Sequence, residues 1–125
     1  MKALLLIAHG SNRQESNQEI QVLAEKLAVA SCGFDLVQCA FLELTQPSIP
    51  SALEDLVRHG ADDITAIPYF LAAGRHVVTD IPEQLNRFME THKDITIRQT
   101  AYIGQANGIV DMLLDLLASG VEVSS

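Results

Sequence analysis

Lys2-Ala3-Leu4-Leu5-Leu6-Ile7-Ala8-His9-Gly10-Ser11 is the stretch that decides the fold. From Ala3 to Ala8 it is continuously apolar, without the alternation of a half-exposed strand, as suits a strand buried on both faces. It stops at a His-Gly-Ser turn. A helical pattern follows, with Ile20, Leu23, Ala24 and Leu27 at i, i+3, i+4 and i+7. Glu15, Gln18, Glu19, Glu25 and Lys26 fill the opposite face, and Gly33 is placed to end the helix. A doubly buried strand feeding an amphipathic helix is the opening of a right-handed βαβ crossover.

The same unit recurs along the chain. A second strand is predicted over residues 34–41, and Pro47 and Pro50 mark the entrance to a helix. Ile49, Leu53, Leu56 and Val57 form its apolar stripe, and His59-Gly60 close it. A third strand over 62–68 leads through a loop, 69–78, into a helix with Ile81, Leu85, Phe88 and Met89 on one side. Thr79 or Asp80 is placed to cap that helix, with Pro82 in its first turn. A strand over 95–103 and a helix over 105–118 complete the pattern, and residues 119–125 read as a tail stopped off by Gly120. Four strand-then-helix units predict an α/β fold: one domain over residues 1–125, an open parallel four-stranded sheet with helices on both faces. The last helix departs from the rule. Ile109, Val110, Met112, Leu113, Leu114, Leu116 and Leu117 wrap most of its circumference, which fits either a helix tucked tightly into the domain or a self-association surface.

Composition narrows the function. The 125 residues carry 8 Lys+Arg against 16 Asp+Glu, a net charge of −8. That balance argues against nucleic acid and anionic membrane surfaces, both of which need a basic face. No apolar run reaches the ~20 residues of a membrane span, and the start of the chain lacks a signal-peptide pattern, so a cytoplasmic protein is expected. Cys32 and Cys39 make no disulfide framework and read as small buried hydrophobes.

In an open parallel sheet, ligands bind beyond the carboxyl ends of the strands. Three such places carry a metal-binding or proton-moving side chain: His9 after the first strand, Glu43 after the second, and His76 in the loop after the third. Successive βα units return the chain to one edge, so these side chains can converge. His59 and His92 lie instead at helix C-termini, where a histidine satisfies exposed carbonyls. Leu42 and Leu44 flank Glu43, which suggests part burial and a carboxylate able to accept a proton near neutrality. Two histidines and a carboxylate suit a divalent transition metal. Phosphohistidine chemistry is disfavoured because Ala8 stands where histidine phosphatases carry an arginine. No GxGxxG or P-loop pattern occurs.

Three blocks carry a resemblance. Leu6-Ile7-Ala8-His9-Gly10-Ser11, Ala40-Phe41-Leu42-Glu43 followed by Gln46-Pro47-Ser48-Ile49, and Pro68-Tyr69-Phe70-Leu71-Ala72-Ala73-Gly74-Arg75-His76 with Asp80-Ile81-Pro82 resemble the CbiX/SirB sirohydrochlorin chelatases. The resemblance implies a chelatase-like (flavodoxin-like) sheet and a short form equal to half of a two-domain class II chelatase. It implies insertion of a divalent metal into sirohydrochlorin, a tetrapyrrole with eight carboxylates. Co²⁺ is favoured and Fe²⁺ or Ni²⁺ possible, on the anaerobic cobalamin route or the sirohaem route, with no ATP or organic cofactor. His9, His76 and Glu43 are implied as catalytic residues and metal ligands. Ser11, Arg13, Tyr69, Phe70, Leu71, Ala72, Ala73, Gly74 and Arg75 would contact the macrocycle, the arginines pairing with its carboxylates. A homodimer is the implied assembly. The archaeal histidine-rich storage segment is missing. A non-catalytic tetrapyrrole or metal carrier using the same pocket is the alternative.

Overall fold

The computed structural model describes residues 1–30 and 33–123, with His76 described by its backbone alone. Its elements run β1 (Lys2–Ala8), α1 (Gln14–Ala30), β2 (Leu36–Phe41), α2 (Ile49–Arg58) and β3 (Asp63–Pro68). A π-helical turn (His76–Asp80), α3 (Ile81–Thr91), β4 (Thr96–Gln99), a 3-10 turn (Ile103–Gln105) and α4 (Ile109–Leu117) follow. The strands form one parallel sheet in the order β2-β1-β3-β4. The α/β architecture predicted from the strand-helix alternation is therefore the one observed.

β1 is central, and its residues from Ala3 to Ala8 are all buried, which is why it reads as an uninterrupted apolar run. Leu5 and Ile7 point into a core shared with Ile64, with Leu53 and Leu56 of α2, and with Ile81 and Leu85 of α3. Leu6 and Ala8 point the other way, joining Phe41 and Ala24, with Ile20, Leu23 and Leu27 of α1 packed alongside. Each fully buried Leu, Ile or Phe contributes roughly 1.5–3 kcal/mol of apolar burial, so β1 welds both layers together.

Several element ends differ from the sequence reading. β2 begins at Leu36 and β3 at Asp63, each slightly inside the predicted span. Only Pro50 lies in the first turn of α2; Pro47 precedes the helix across a cis Gln46–Pro47 peptide, and Ser48 caps it by accepting the Ser51 N–H at 3.3 Å. Asp80 does not cap α3. The chain is already helical from His76, so Asp80 has helical dihedrals and makes no side-chain cap bond. β4 spans Thr96–Gln99 rather than 95–103, and α4 starts at Ile109 because Asn107-Gly108 interrupt any earlier helix. Cys39 is buried as a free thiol, and burial pushes its pKa up. The readings of Cys32 and of the last two tail residues, 124–125, lie outside the described residues. Among the described residues no helix is long and apolar enough to cross a membrane.

α4 gives the largest correction. A helix tucked into the domain should bury its apolar arc, yet none of its residues is buried and Ile109 alone is even partly covered. Its chain neighbour, the 3-10 turn, is the element it touches most.

Candidate functional site

The sheet ladder continues one step past its strands and aligns the turns that follow them. The Leu42 N–H donates to the Ala8 carbonyl at 3.0 Å, and the Glu43 N–H to the His9 carbonyl at 3.1 Å. On the other side of β1, the Tyr69 N–H donates to the Ile7 carbonyl at 2.7 Å. Gly10, at φ +98°, lets the first turn lie directly against the Glu43 carbonyl, where any Cβ would collide.

This alignment places the His9 Nε2 3.1 Å from the Glu43 Oε2. Both side chains are about half exposed, 46% and 52%, so the pair faces solvent at the strand edge. The leucines beside Glu43 do not enclose it as the sequence suggested. Leu42 turns into the core, while Leu44 adopts φ 71° and is 56% exposed. A shallow depression of about 270 Å³ on one side is lined by His9, Gly10, Ser11, Asn17 and Tyr69. On the other, a groove of about 230 Å³ is lined by Leu42, Glu43, Asp80, Glu83 and Arg87. Asp80 ends the turn that His76 begins, so that turn borders the same groove as Glu43. The side chain of His76 lies outside the described residues. Among the described residues, no three His, Cys, Asp or Glu side chains gather as a metal would need.

Residues 3–119 match the family described as CbiX. The chain belongs to the CbiX family. This CbiX chain is 37% identical over 123 residues to the sirohydrochlorin cobaltochelatase of Sulfolobus acidocaldarius, covering 98% of the chain and 95% of that protein. It is 33% identical over 112 residues to the chloroplastic sirohydrochlorin ferrochelatase of Arabidopsis thaliana, covering 90% of the chain but 49% of that protein. The crystal structure of the sirohydrochlorin chelatase SirB from Bacillus subtilis subspecies spizizenii, in complex with cobalt, superposes with a TM-score of 0.82 at 28% identity. That match covers 94% of the CbiX chain and 50% of SirB. Curated relatives of the family are thus metal-insertion enzymes for sirohydrochlorin, some of them twice as long.

Within the CbiX site the other predicted residues are distributed unevenly. Ser11 uses its hydroxyl to accept the Arg13 N–H at 3.0 Å, which tightens the first turn. Arg13 reaches Glu15 at 3.4 Å on an exposed surface. Tyr69 borders the His9 depression, and with Phe70, Leu71 and Ile103 it lines an apolar notch of about 110 Å³. Leu71, Ala72, Ala73, Gly74 and Arg75 form an exposed loop. His59 and His92 stand away from it: His59 Nδ1 lies 2.7 Å from the Asp55 carbonyl, and His92 stacks on Phe88 at 3.9 Å.

The sequence reading missed Asn17. It is 2% exposed, and its amide grips the backbone of Ser11 from both sides. Its Nδ2 donates to the Ser11 carbonyl at 2.8 Å, and its Oδ1 accepts the Ser11 N–H at 3.0 Å. A buried amide with both ends satisfied by the backbone of one residue fixes the His9-Gly10-Ser11 turn against α1. The one available signal was an asparagine on the apolar side of a helix, three residues before Ile20.

Proposed function

We propose that the protein is a sirohydrochlorin chelatase, with the metal as substrate and no ATP or organic cofactor. The observation that carries this reading is the imidazole-carboxylate pair of His9 and Glu43. It lies at the ligand edge of a fold shared with a cobalt-bound chelatase. In this reading His9, His76 and Glu43 act on the metal, and Ser11, Arg13 and the loop from Tyr69 to Arg75 act on the macrocycle.

The chemistry follows from proton and charge accounting. A divalent cation entering the ring displaces two N–H protons, so the site must lend nitrogen donors to the metal and basic atoms to the protons. Neutral His9 and His76 supply borderline donors that suit Co²⁺, Fe²⁺ or Ni²⁺. The His9 imidazole and the Glu43 carboxylate, 3.1 Å apart, would together hold an arriving cation, with the carboxylate offsetting its charge. As the metal passes to the ring, the vacated imidazole and carboxylate become acceptors for the pyrrole protons. The exposure of Glu43 favours this role, because a proton collected there passes directly to water. The apolar notch at Tyr69, Phe70 and Leu71 supports a flat macrocycle edge, and Arg75 offers a cation to its carboxylates.

Cobalt is the favoured metal because the full-length match is to a cobaltochelatase. A homodimer, with each 125-residue domain supplying half of a two-domain cleft, agrees with the half-length match to the longer relatives. A cytoplasmic location agrees with a free, buried Cys39.

The test is absorbance-monitored metal insertion. Purified protein with sirohydrochlorin and Co²⁺ should exceed the uncatalysed rate, and His9→Ala should lower kcat at least ~100-fold if it holds the metal. Tight stoichiometric binding without turnover would instead identify a carrier. A rate untouched by His9→Ala, Glu43→Gln and His76→Ala together would sink the assignment of the site.

A further inference from the structure

α2 and α3 lie on the same side of the sheet and give Leu53, Leu56, Leu85 and Phe88 to one core. Between them an outward-facing groove of about 250 Å³ is lined by Pro50, Glu54, Gln84, Phe88, Thr91 and His92. Its His92 end is separated from Asp80, where α3 borders the groove of Glu43, by about 16 Å of helix. The chemistry of the His9 edge makes no use of this end.

His92 follows the last turn of α3, and its ring is held on three counts. It stacks on Phe88 with centroids 3.9 Å apart and planes 4° from parallel. Its Nδ1 lies 3.0 Å from the Phe88 carbonyl and 2.9 Å from the Thr91 hydroxyl oxygen, and that hydroxyl donates to the same carbonyl at 3.2 Å. Both neighbours of Nδ1 are therefore acceptors, so this nitrogen carries the proton and the neutral ring presents its lone pair at Nε2. That lone pair faces the Glu54 Oε1 at 3.4 Å across the groove. Two electron-rich atoms held face to face call for a cation between them. A shared proton would draw the pair to ~2.7–2.9 Å, as in charge-assisted N–H···O contacts. The observed separation instead matches two donors on one tetrahedral ion, which with bonds of ~2.1 Å stand about 3.4 Å apart.

We propose that His92 and Glu54 form a second cation site, which takes a divalent transition-metal ion of the Co²⁺, Ni²⁺ and Zn²⁺ class between α2 and α3. An imidazole beside a carboxylate selects such ions over Mg²⁺ and Ca²⁺, which prefer oxygen donors throughout. An Nδ1–H bonded to a backbone carbonyl is the arrangement that orients a metal-bound imidazole and raises its basicity. The Glu54 side chain is 63% exposed, so its carboxylate is free to close on the ion. Arg87 also lines the groove, but its guanidinium lies 3.0 Å from Glu83, which offsets its charge. With two protein donors the ion keeps water at its remaining positions and exchanges readily. It ties the end of α3 to the middle of α2. His59 lacks this construction, because one nitrogen, Nδ1, faces both the carbonyl and the carboxylate of Asp55.

Titration with Co²⁺ alone, without any macrocycle, tests the site. In proton NMR of the wild type, the His92 ring signals should shift and broaden before those of His59, and Mg²⁺ should move neither. Equilibrium dialysis gives the second readout. A chain disabled at the strand edge by His9→Ala, Glu43→Gln and His76→Ala should still take up one Co²⁺. Adding either His92→Gln or Glu54→Gln should weaken that uptake at least ~10-fold. The NMR readout belongs to the unaltered protein and stands even if a variant fails to fold. His92 signals that stay in place, or that move only together with those of His59, overturn the site. So does a strand-edge variant that takes up no Co²⁺, and uptake indifferent to both added substitutions overturns its assignment to His92 and Glu54. Because no macrocycle enters the measurement, each result holds whether or not the protein inserts metal.

Discussion

Asn17 and Gly10 hold the His9 turn by different means, and each can be tested at a single atom. Asn17→Ala leaves the Ser11 N–H and carbonyl without their buried partner, which costs about 1–3 kcal/mol in urea unfolding. If the amide positions His9, Asn17→Ala also lowers kcat for insertion while leaving KM nearly unchanged. Asn17→Asp keeps the Oδ1 acceptor but sets a buried carboxylate oxygen against the Ser11 carbonyl, so it should destabilise at least as much as Asn17→Ala. Gly10→Ala forces a side chain into a left-handed backbone and against the Glu43 carbonyl. It should cost at least ~1 kcal/mol and separate His9 from Glu43. At the other end of β1, the Met1 ammonium lies 3.0 Å from Asp62 and holds its carboxyl below the ordinary carboxylate range. A carboxylate pKa depressed by folding stabilises the native state above the unfolded value of ~3.9, and that increment disappears as pH falls through the folded value. Asp62→Asn should therefore flatten the acid limb of the stability profile and leave stability at neutral pH only slightly changed, since the pair is exposed.

At the scale of elements, what the sequence displayed was periodicity, and periodicity reports which face is apolar. It located β1, the stripes of α1, α2 and α3, and the proline entry to α2. Ser48→Ala should lower stability by about 0.5–2 kcal/mol through loss of the α2 cap, and Leu53→Ala by about 2–5 kcal/mol through a cavity beneath the same helix; thermal or urea unfolding reads both. Periodicity could not show that the turn from His76 to Asp80 winds as a π-helix continuous with α3. One wide turn leaves the downstream stripe of Ile81, Leu85 and Phe88 with the pattern of a helix that begins after Asp80. Nor could it end β4 at Gln99, where pairing with β3 runs out at Ala66. The edges of these elements are set by hydrogen-bond partners far away in the chain.

For the whole molecule, the charge of −8 meets a proposed substrate with eight carboxylates. The grooves beside His9 carry Glu19, Glu43, Asp80 and Glu83 against Arg87, so the local field is acidic as well. Screening that repulsion should lower KM for the macrocycle when salt is raised from about 20 to about 200 mM, the Debye length shrinking from roughly 20 to below 10 Å. A KM that rises with salt would show instead that Arg13 and Arg75 dominate capture.

The sequence by itself determined the alternation of strands and helices and the parallel sheet. It also brought His9 and Glu43 to one edge of that sheet, because burial on both faces and one-face amphipathicity are written in residue order. Only the tertiary structure decided that Asn17 grips Ser11, that Leu44 turns away and leaves Glu43 open to water, and that α4 stands clear of its own sheet. An apolar face records that it will be covered. What covers it depends on the polarity of surfaces contributed by distant strands, and here the neighbouring strands β3 and β4 carry the ion pair of Asp63 and Arg98.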